Sequence, residues 1–209
     1  MTTVSARAQA VALQAASMCL QYPDAALLAQ LPVAAEAVDA LPPSPARERL
    51  GHFLDRAGAT EPGELARHYV ELFDTRKRCC LYLTWWSDGE TRRRGSALAG
   101  LKERYRRAGA DFDHAELPDF LPAVLEFAAT VDLATGLELL QEHRPGLELL
   151  RLALLEAKTF YAAPVEAVCA LLPGASPADV EAAKALARGG PPREQVGLEL
   201  LPYAAGAGR

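Results

Sequence analysis

Apolar residues recur along this chain at the spacing of three and four that marks one face of a helix. Ala8, Val11, Ala12, Ala15, Met18, Cys19 and Tyr22 make the first such stripe. Pro23-Asp24 breaks it, a short helix follows to Leu31, and Pro32 should interrupt the chain again. In Pro42-Pro43-Ser44-Pro45, Ser44 is placed to cap a helix whose first residue is Pro45, where a missing N–H costs nothing; Gly58 ends that helix. Thr60 and Pro62 start the next, with Leu65, Tyr69, Leu72 and Phe73 on one face.

Residues 79–86 are ambiguous. Leu81, Tyr82, Leu83, Thr84, Trp85 and Trp86 favour a strand, yet no second strand stands elsewhere to pair with it, so a buried helix is expected. Ser87-Asp88-Gly89 is a turn. Residues 91–108 form a long helix with Leu98, Leu101 and Tyr105 on its stripe, closed by Gly109. Asp119 is placed to cap a helix that carries Pro122 in its first turn and buries Leu121, Val124, Leu125, Ala128 and Val131. Leu133, Leu137 and Leu140 continue the pattern to a break at Arg144-Pro145-Gly146. Residues 147–161 are apolar on nearly every side and belong at the bundle centre. Helices over 164–172 and 177–187 follow, the last capped by Ser176. Gly and Pro dominate from Arg188. The expectation is an all-α, single-domain helical bundle of roughly nine helices over residues 1–187, with a flexible tail over 188–209.

Composition agrees. Half of the 209 residues are hydrophobic but only 7% are aromatic, a mix that favours helix. Folding a chain of this length buries roughly 70% of its extended surface, enough for a core without staples. Cys19, Cys79, Cys80 and Cys169 form no C-x-x-C pair, and reduced thiols are expected rather than a zinc or redox site. No apolar run approaches the ~20 residues that span a bilayer. Residues 10–20 lack the basic flank and cleavage site of a leader. A cytoplasmic monomer without stable membrane association is expected.

Charge refines the picture. Between residues 76 and 107 ten Lys or Arg stand against three acids; between 108 and 187 thirteen acids stand against four bases. The two regions should attract each other if packed together, and either could present a charged face to a partner.

Chemistry is sparse. His52, His68, His114 and His143 share no metal-binding spacing, Ser5, Ser17 and Ser44 lie outside any nucleophile elbow, and no Gly-rich phosphate loop is present. No catalytic residue, cofactor or metal is therefore assigned. Glu116, Asp119 and Glu126 could form paired carboxylates, but capping by Asp119 and pairing of Glu126 with the basic helix are the simpler roles. The basic segment 92–107, with Tyr82, Trp85 and Trp86 nearby, leaves nucleic-acid binding as the alternative function, although the chain is acidic overall.

Several motifs occur together and in order: Tyr69-Val70-Glu71-Leu72-Phe73-Asp74 with Arg76; Leu81-Tyr82-Leu83-Thr84; Asp88-Gly89-Glu90-Thr91-Arg92; Arg94-Gly95; Leu101-Lys102 with Tyr105 and Gly109; and Glu116-Leu117-Pro118-Asp119-Phe120-Leu121-Pro122 with Leu125-Glu126-Phe127. Over about a third of the chain this resembles the NarJ family, all-helical assembly chaperones of respiratory nitrate reductase. The resemblance implies a non-catalytic protein. Such a chaperone holds the N-terminal tail of the reductase's catalytic subunit until the molybdenum cofactor is inserted, delays its docking to the membrane anchor, and is absent from the finished enzyme.

A tail that is disordered when free gains affinity by burying apolar anchors in a groove. The expected groove lies between the Tyr69 and Phe73 helix, residues 81–86 and the helix after Asp119. Tyr69, Phe73, Tyr82, Trp86 and Phe120 would wall it, and Glu116, Asp119 and Glu126 would meet basic residues of the tail. Each ring could equally be plain core.

Overall fold

The first apolar stripe forms α1 (Ala6–Cys19), the axis of the fold. The structure, a computed structural model, describes residues 5–89, 91–111 and 116–189. Ser5 caps α1 by accepting the N–H of Ala8 at 3.2 Å. The buried face of α1 is mostly alanine, Ala8, Ala12, Ala15 and Ala16, which lets neighbours approach its backbone. Four helices use that access: α2 (Ala25–Asp39), α3 (Pro45–Gly58), α7 (Leu121–Thr130) and α10 (Ala162–Leu171). Ser17 is sealed from water and donates its hydroxyl to the Pro122 carbonyl at 2.8 Å, fixing α1 against the start of α7.

The remaining helices are α4 (Pro62–Tyr69), α5 (Leu83–Asp88), α6 (Arg92–Arg107), α8 (Leu133–Glu142), α9 (Arg144–Glu156) and α11 (Val180–Gly189). The described residues thus form an all-α bundle with eleven α-helices rather than about nine. One added break lies at Asp132, whose carboxylate accepts the Thr135 N–H at 3.1 Å and so starts α8. Val131, expected in the core, is exposed at that corner. Helix α11 ends two residues beyond the boundary expected at 187; residues 190–209 of the expected tail lie outside the described residues.

Pro32 does not interrupt its helix. It sits on the exposed side of α2 while Leu27, Leu31, Ala34 and Val38 bury a continuous stripe past it. Burial of Leu27, Leu31 and Val38 contributes roughly 1.5–3 kcal/mol each. Together they outweigh a proline penalty of about 3 kcal/mol. Ser44 and Pro45 start α3 as expected, with the Arg47 N–H on Ser44 Oγ at 3.2 Å. Glu61, not Thr60, caps α4.

The helix expected to be apolar all round is shorter and carries a buried ionic group. Glu148 of α9 is fully buried between Arg144 and Arg151, at 3.3 and 2.6 Å. Ser176, expected as a cap, donates instead to Glu148 at 2.7 Å, and Asp179 caps α11 by accepting the Ala182 N–H. Arg144 also donates to the Gly174 carbonyl at 2.8 Å and Arg151 to that of Pro177. The group therefore moors the segment that leads into α11 and gives each of its buried charges a polar partner.

Cys19, Cys79, Cys80 and Cys169 are all free thiols. Among the described residues no helix is long and apolar enough to cross a membrane.

Candidate functional site

Residues 79–86 hold two structures in one segment. A short 3-10 turn (Lys77–Cys79) runs into extended chain through Tyr82, and α5 starts at Leu83. The missing strand partner is a single residue, Phe120. Leu83 N–H donates to Asp119 O at 2.9 Å and Leu121 N–H to Leu81 O at 2.8 Å, pairing Tyr82 and Phe120 in one antiparallel bridge. Residues placed opposite each other this way send their side chains to the same face. Their rings lie 5.4 Å apart, both half-buried.

Asp119 does not cap α7, and its carboxylate is not at the surface. It is wholly buried, and its Oδ2 accepts the Thr84 N–H at 3.1 Å and the Thr84 hydroxyl at 2.5 Å. Thr84 lies in the first turn of α5, where N–H groups lack intrahelical partners. Asp119 thus caps a helix 35 residues away in sequence. Arg94 of α6 completes the group, with its Nη2 at 3.5 Å from Asp119 Oδ2 and its Nε donating to Thr84 Oγ1 at 3.1 Å. The basic helix and the acidic region do attract each other, through this pair and through Arg104 with Glu142 at 2.9 Å.

On the other side, α4 opens into a π-helical turn, Val70–Asp74. Such turns recur where a helix serves a function. Here Tyr69 and Phe73 meet at 4.8 Å, and Tyr22 stands edge-on to Tyr69 at 5.6 Å. Tyr69 is nearly sealed and donates its hydroxyl to the Leu20 carbonyl at 3.1 Å. Burial, with Asp74 nearby, pushes its phenol up.

Between these walls lies an open cleft of about 620 Å³. Tyr69, Phe73, Tyr82, Phe120, Glu116 and Glu126 all line it, so six of the eight residues singled out from the sequence share one cavity. Tyr69 is its floor; Phe73, Tyr82 and Phe120 are its half-exposed walls. Glu116 accepts the Tyr82 hydroxyl at 3.3 Å, and burial, together with this carboxylate, pushes the Tyr82 phenol up to about 12. Glu126 is exposed and makes no ion pair among the described residues, contrary to the expected pairing with the basic helix.

Trp86 and Asp119 do not line the cleft. Trp86 packs on α9, where Gly146 leaves room for its indole, and its Nε1 donates to the Cys80 carbonyl at 3.1 Å. Asp119 holds the wall from behind. Sequence reasoning missed Gln21, Tyr22, Asp24, Asp74, Leu81, Pro122 and Ala123, which also line the cleft. Tyr22, expected on the buried stripe of the first helix, is half exposed. Among the described lining residues Asp24, Asp74, Glu116 and Glu126 are acidic and none is basic. The cleft therefore combines an aromatic interior with a negative rim, and can take an apolar segment that carries positive charge.

The basic segment 92–107 is partly spent on structure: Arg94 on Asp119, Arg104 on Glu142, and Arg106 and Arg107 on Glu103. Among the described residues no group of three or more His, Cys, Asp or Glu is placed to hold a metal ion.

A family model described as nitrate reductase delta subunit matches residues 39–165, which hold both aromatic walls of the cleft. The chain is 41% identical over 156 residues to a nitrate reductase-like protein, NarX, of Mycobacterium tuberculosis, covering 75% of this chain and 23% of that protein. It is 32% identical over 162 residues to a probable nitrate reductase molybdenum cofactor assembly chaperone, NarJ, of Bacillus subtilis, covering 78% of this chain and 88% of that one. It is 34% identical over 148 residues to the NarJ chaperone of Escherichia coli K12, covering 70% and 63% respectively.

Proposed function

The chain belongs to the nitrate reductase delta subunit family, and on that premise we propose that it is a nitrate reductase maturation chaperone whose aromatic cleft holds the N-terminal tail of the catalytic subunit. The observation that carries this reading is the pairing of half-exposed rings, Phe73, Tyr82 and Phe120, with four carboxylates around one open cavity.

A cleft of this volume falls within the roughly 300–1,000 Å³ of small-ligand sites, so it admits a few side chains and not a folded domain. Four apolar anchors near the upper end of about 1.5–3 kcal/mol each, less a few kcal/mol for ordering the tail, leave about −8 kcal/mol, an affinity near micromolar. That is tight enough to occupy the tail and loose enough to release it. Lysines or arginines on the tail would meet Glu116, Glu126, Asp24 and Asp74, which speeds encounter and fixes register. While held, the tail is withheld from other partners, so cofactor insertion into the reductase in the cytoplasm can precede membrane docking. The role is non-catalytic: it needs reversible burial and no bond chemistry.

Calorimetric titration with a synthetic peptide of the cognate catalytic subunit's first residues tests this. Saturable binding near micromolar, absent for a scrambled peptide of the same composition, is the expected result. Equal binding of both peptides, or of neither, overturns it.

A further inference from the structure

The loop that forms one wall of the cleft also walls a second pocket of opposite charge. Asp74, Leu81 and Tyr82 face the cleft, while Arg76, Lys77, Arg78 and Cys79 line a separate pocket of about 390 Å³ against the end of α9, at Ala153, Glu156 and Ala157. Asp74 and Arg76 are two residues apart, as are Cys79 and Leu81. Two residues of chain span at most about 7 Å. The sign of the surface therefore reverses across a seam only one loop wide.

Structural duties explain part of the positive side. Arg78 pairs with Glu156 at 3.0 Å, both well exposed, and cations suit the C-terminal end of a helix such as α9. Lys77 lies over the Trp85 ring at 6.0 Å. Neither duty accounts for Arg76, which is exposed and makes no side-chain hydrogen bond or ion pair among the described residues. The Arg78–Glu156 pair, being exposed, contributes about 0–1 kcal/mol and yields readily to another carboxylate. Arg76 and Arg78 against the single acid Glu156 leave the pocket attractive to an anion.

We propose that this pocket is a second subsite for the same client polypeptide, receiving an acidic residue a few positions beyond the apolar, basic segment held in the cleft. This rests on the cleft reading. An extended client advances about 3.3–3.6 Å per residue, so a short stretch clears the seam. The charge reversal then fixes the direction in which the tail lies: only one polarity puts its basic part on the Glu116 and Glu126 side and its acidic part over Arg76. A tail of uniform charge meets repulsion on one side, which discriminates against other basic leaders.

The test uses the full chain and the client's leading segment joined through a Gly-Ser spacer, at either end, to three glutamates, three lysines or three serines. Calorimetry should show the glutamate form binding about tenfold tighter than the serine form at one end only, with the lysine form weaker. In the double variant Arg76→Glu with Arg78→Glu the glutamate gain should vanish, while the unextended segment binds within about twofold of the parent. Equal binding of the three extended peptides at both ends, or a glutamate gain that survives in the double variant, overturns the subsite and leaves the cleft reading standing. Failure of the unextended segment to bind overturns both.

Discussion

Asp119 accepts the backbone N–H of Thr84 at 3.1 Å from 35 residues away, and so one buried carboxylate starts helix α5 and sets Tyr82 opposite Phe120. The acid that the sequence offers as a contact for a partner acts as the fastening of the wall that a partner would touch.

Replacing Asp119 therefore acts first on stability. Asp119→Ala removes the cap of α5 and leaves the Arg94 guanidinium and the Thr84 N–H without their acceptor. A loss of roughly 2–4 kcal/mol is expected in urea unfolding. Asp119→Asn, which keeps one acceptor oxygen but not the charge, should lose less. Binding of the client peptide should fall with both, in the order of their instability.

The exposed members of the cleft should behave in the opposite way. Phe120→Ala truncates a half-buried ring, so unfolding should shift by only about 1–2 kcal/mol while client affinity drops about tenfold or more. Glu126→Gln touches no ion pair among the described residues; it should leave stability unchanged, weaken binding about two- to fivefold, and flatten the dependence of binding on salt. Calorimetry at two ionic strengths measures both.

Glycines test the packing behind the site. A Cβ at Gly136 would lie 2.2 Å from the Ala128 Cβ and 2.4 Å from its Cα, where α8 crosses α7, so Gly136→Ala must move backbone. A Cβ at Gly146 would lie 2.6 Å from the Trp86 Cβ. Both changes should destabilise, by about 1–3 kcal/mol for Gly146→Ala and by more for Gly136→Ala. Gly51 in α3 has nothing within 4 Å of such a Cβ, and Gly51→Ala should stabilise by about 0.5–1 kcal/mol. Thermal melts separate the three.

His143, at the junction of α8 and α9, gives the fold a pH dependence. Burial holds its imidazole below the ordinary value near 6.5, despite the opposing pull of Glu142, Asp119 and Asp88. The unfolded chain then takes up a proton that the folded chain refuses, so stability falls as pH drops below about 6.5 and is unaffected above it. His143→Gln should remove that part of the acid loss. Urea midpoints at about pH 7.5 and about pH 5.5 for the two proteins check it.

Much of this was legible in the sequence because burial patterns are local. The stripes of α1, α6 and α7 are set by spacing alone, and Ser44 and Gly109 act where their chemistry puts them. Tyr69, Phe73, Tyr82 and Phe120 converge because short motifs placed them on elements that pack together. What escaped depends on contacts between distant residues. Nothing near Tyr82 announces that its partner is Phe120, and an Asp one place before a helix cap looks like the cap itself. Glu148 reads as a charge in an apolar helix until Arg144, Arg151 and Ser176 surround it. Pro32 reads as a break because its cost is local while its compensation is tertiary.

The cleft draws its lining from three stretches, residues 21–24, 69–82 and 116–126. A nascent chain that has emerged only as far as α6 has no site to offer, and neither does one in which the Tyr82–Phe120 bridge has yet to close. On the proposed reading, capture of a client is reserved for copies that have finished folding, so a half-made copy would not tie up the polypeptide.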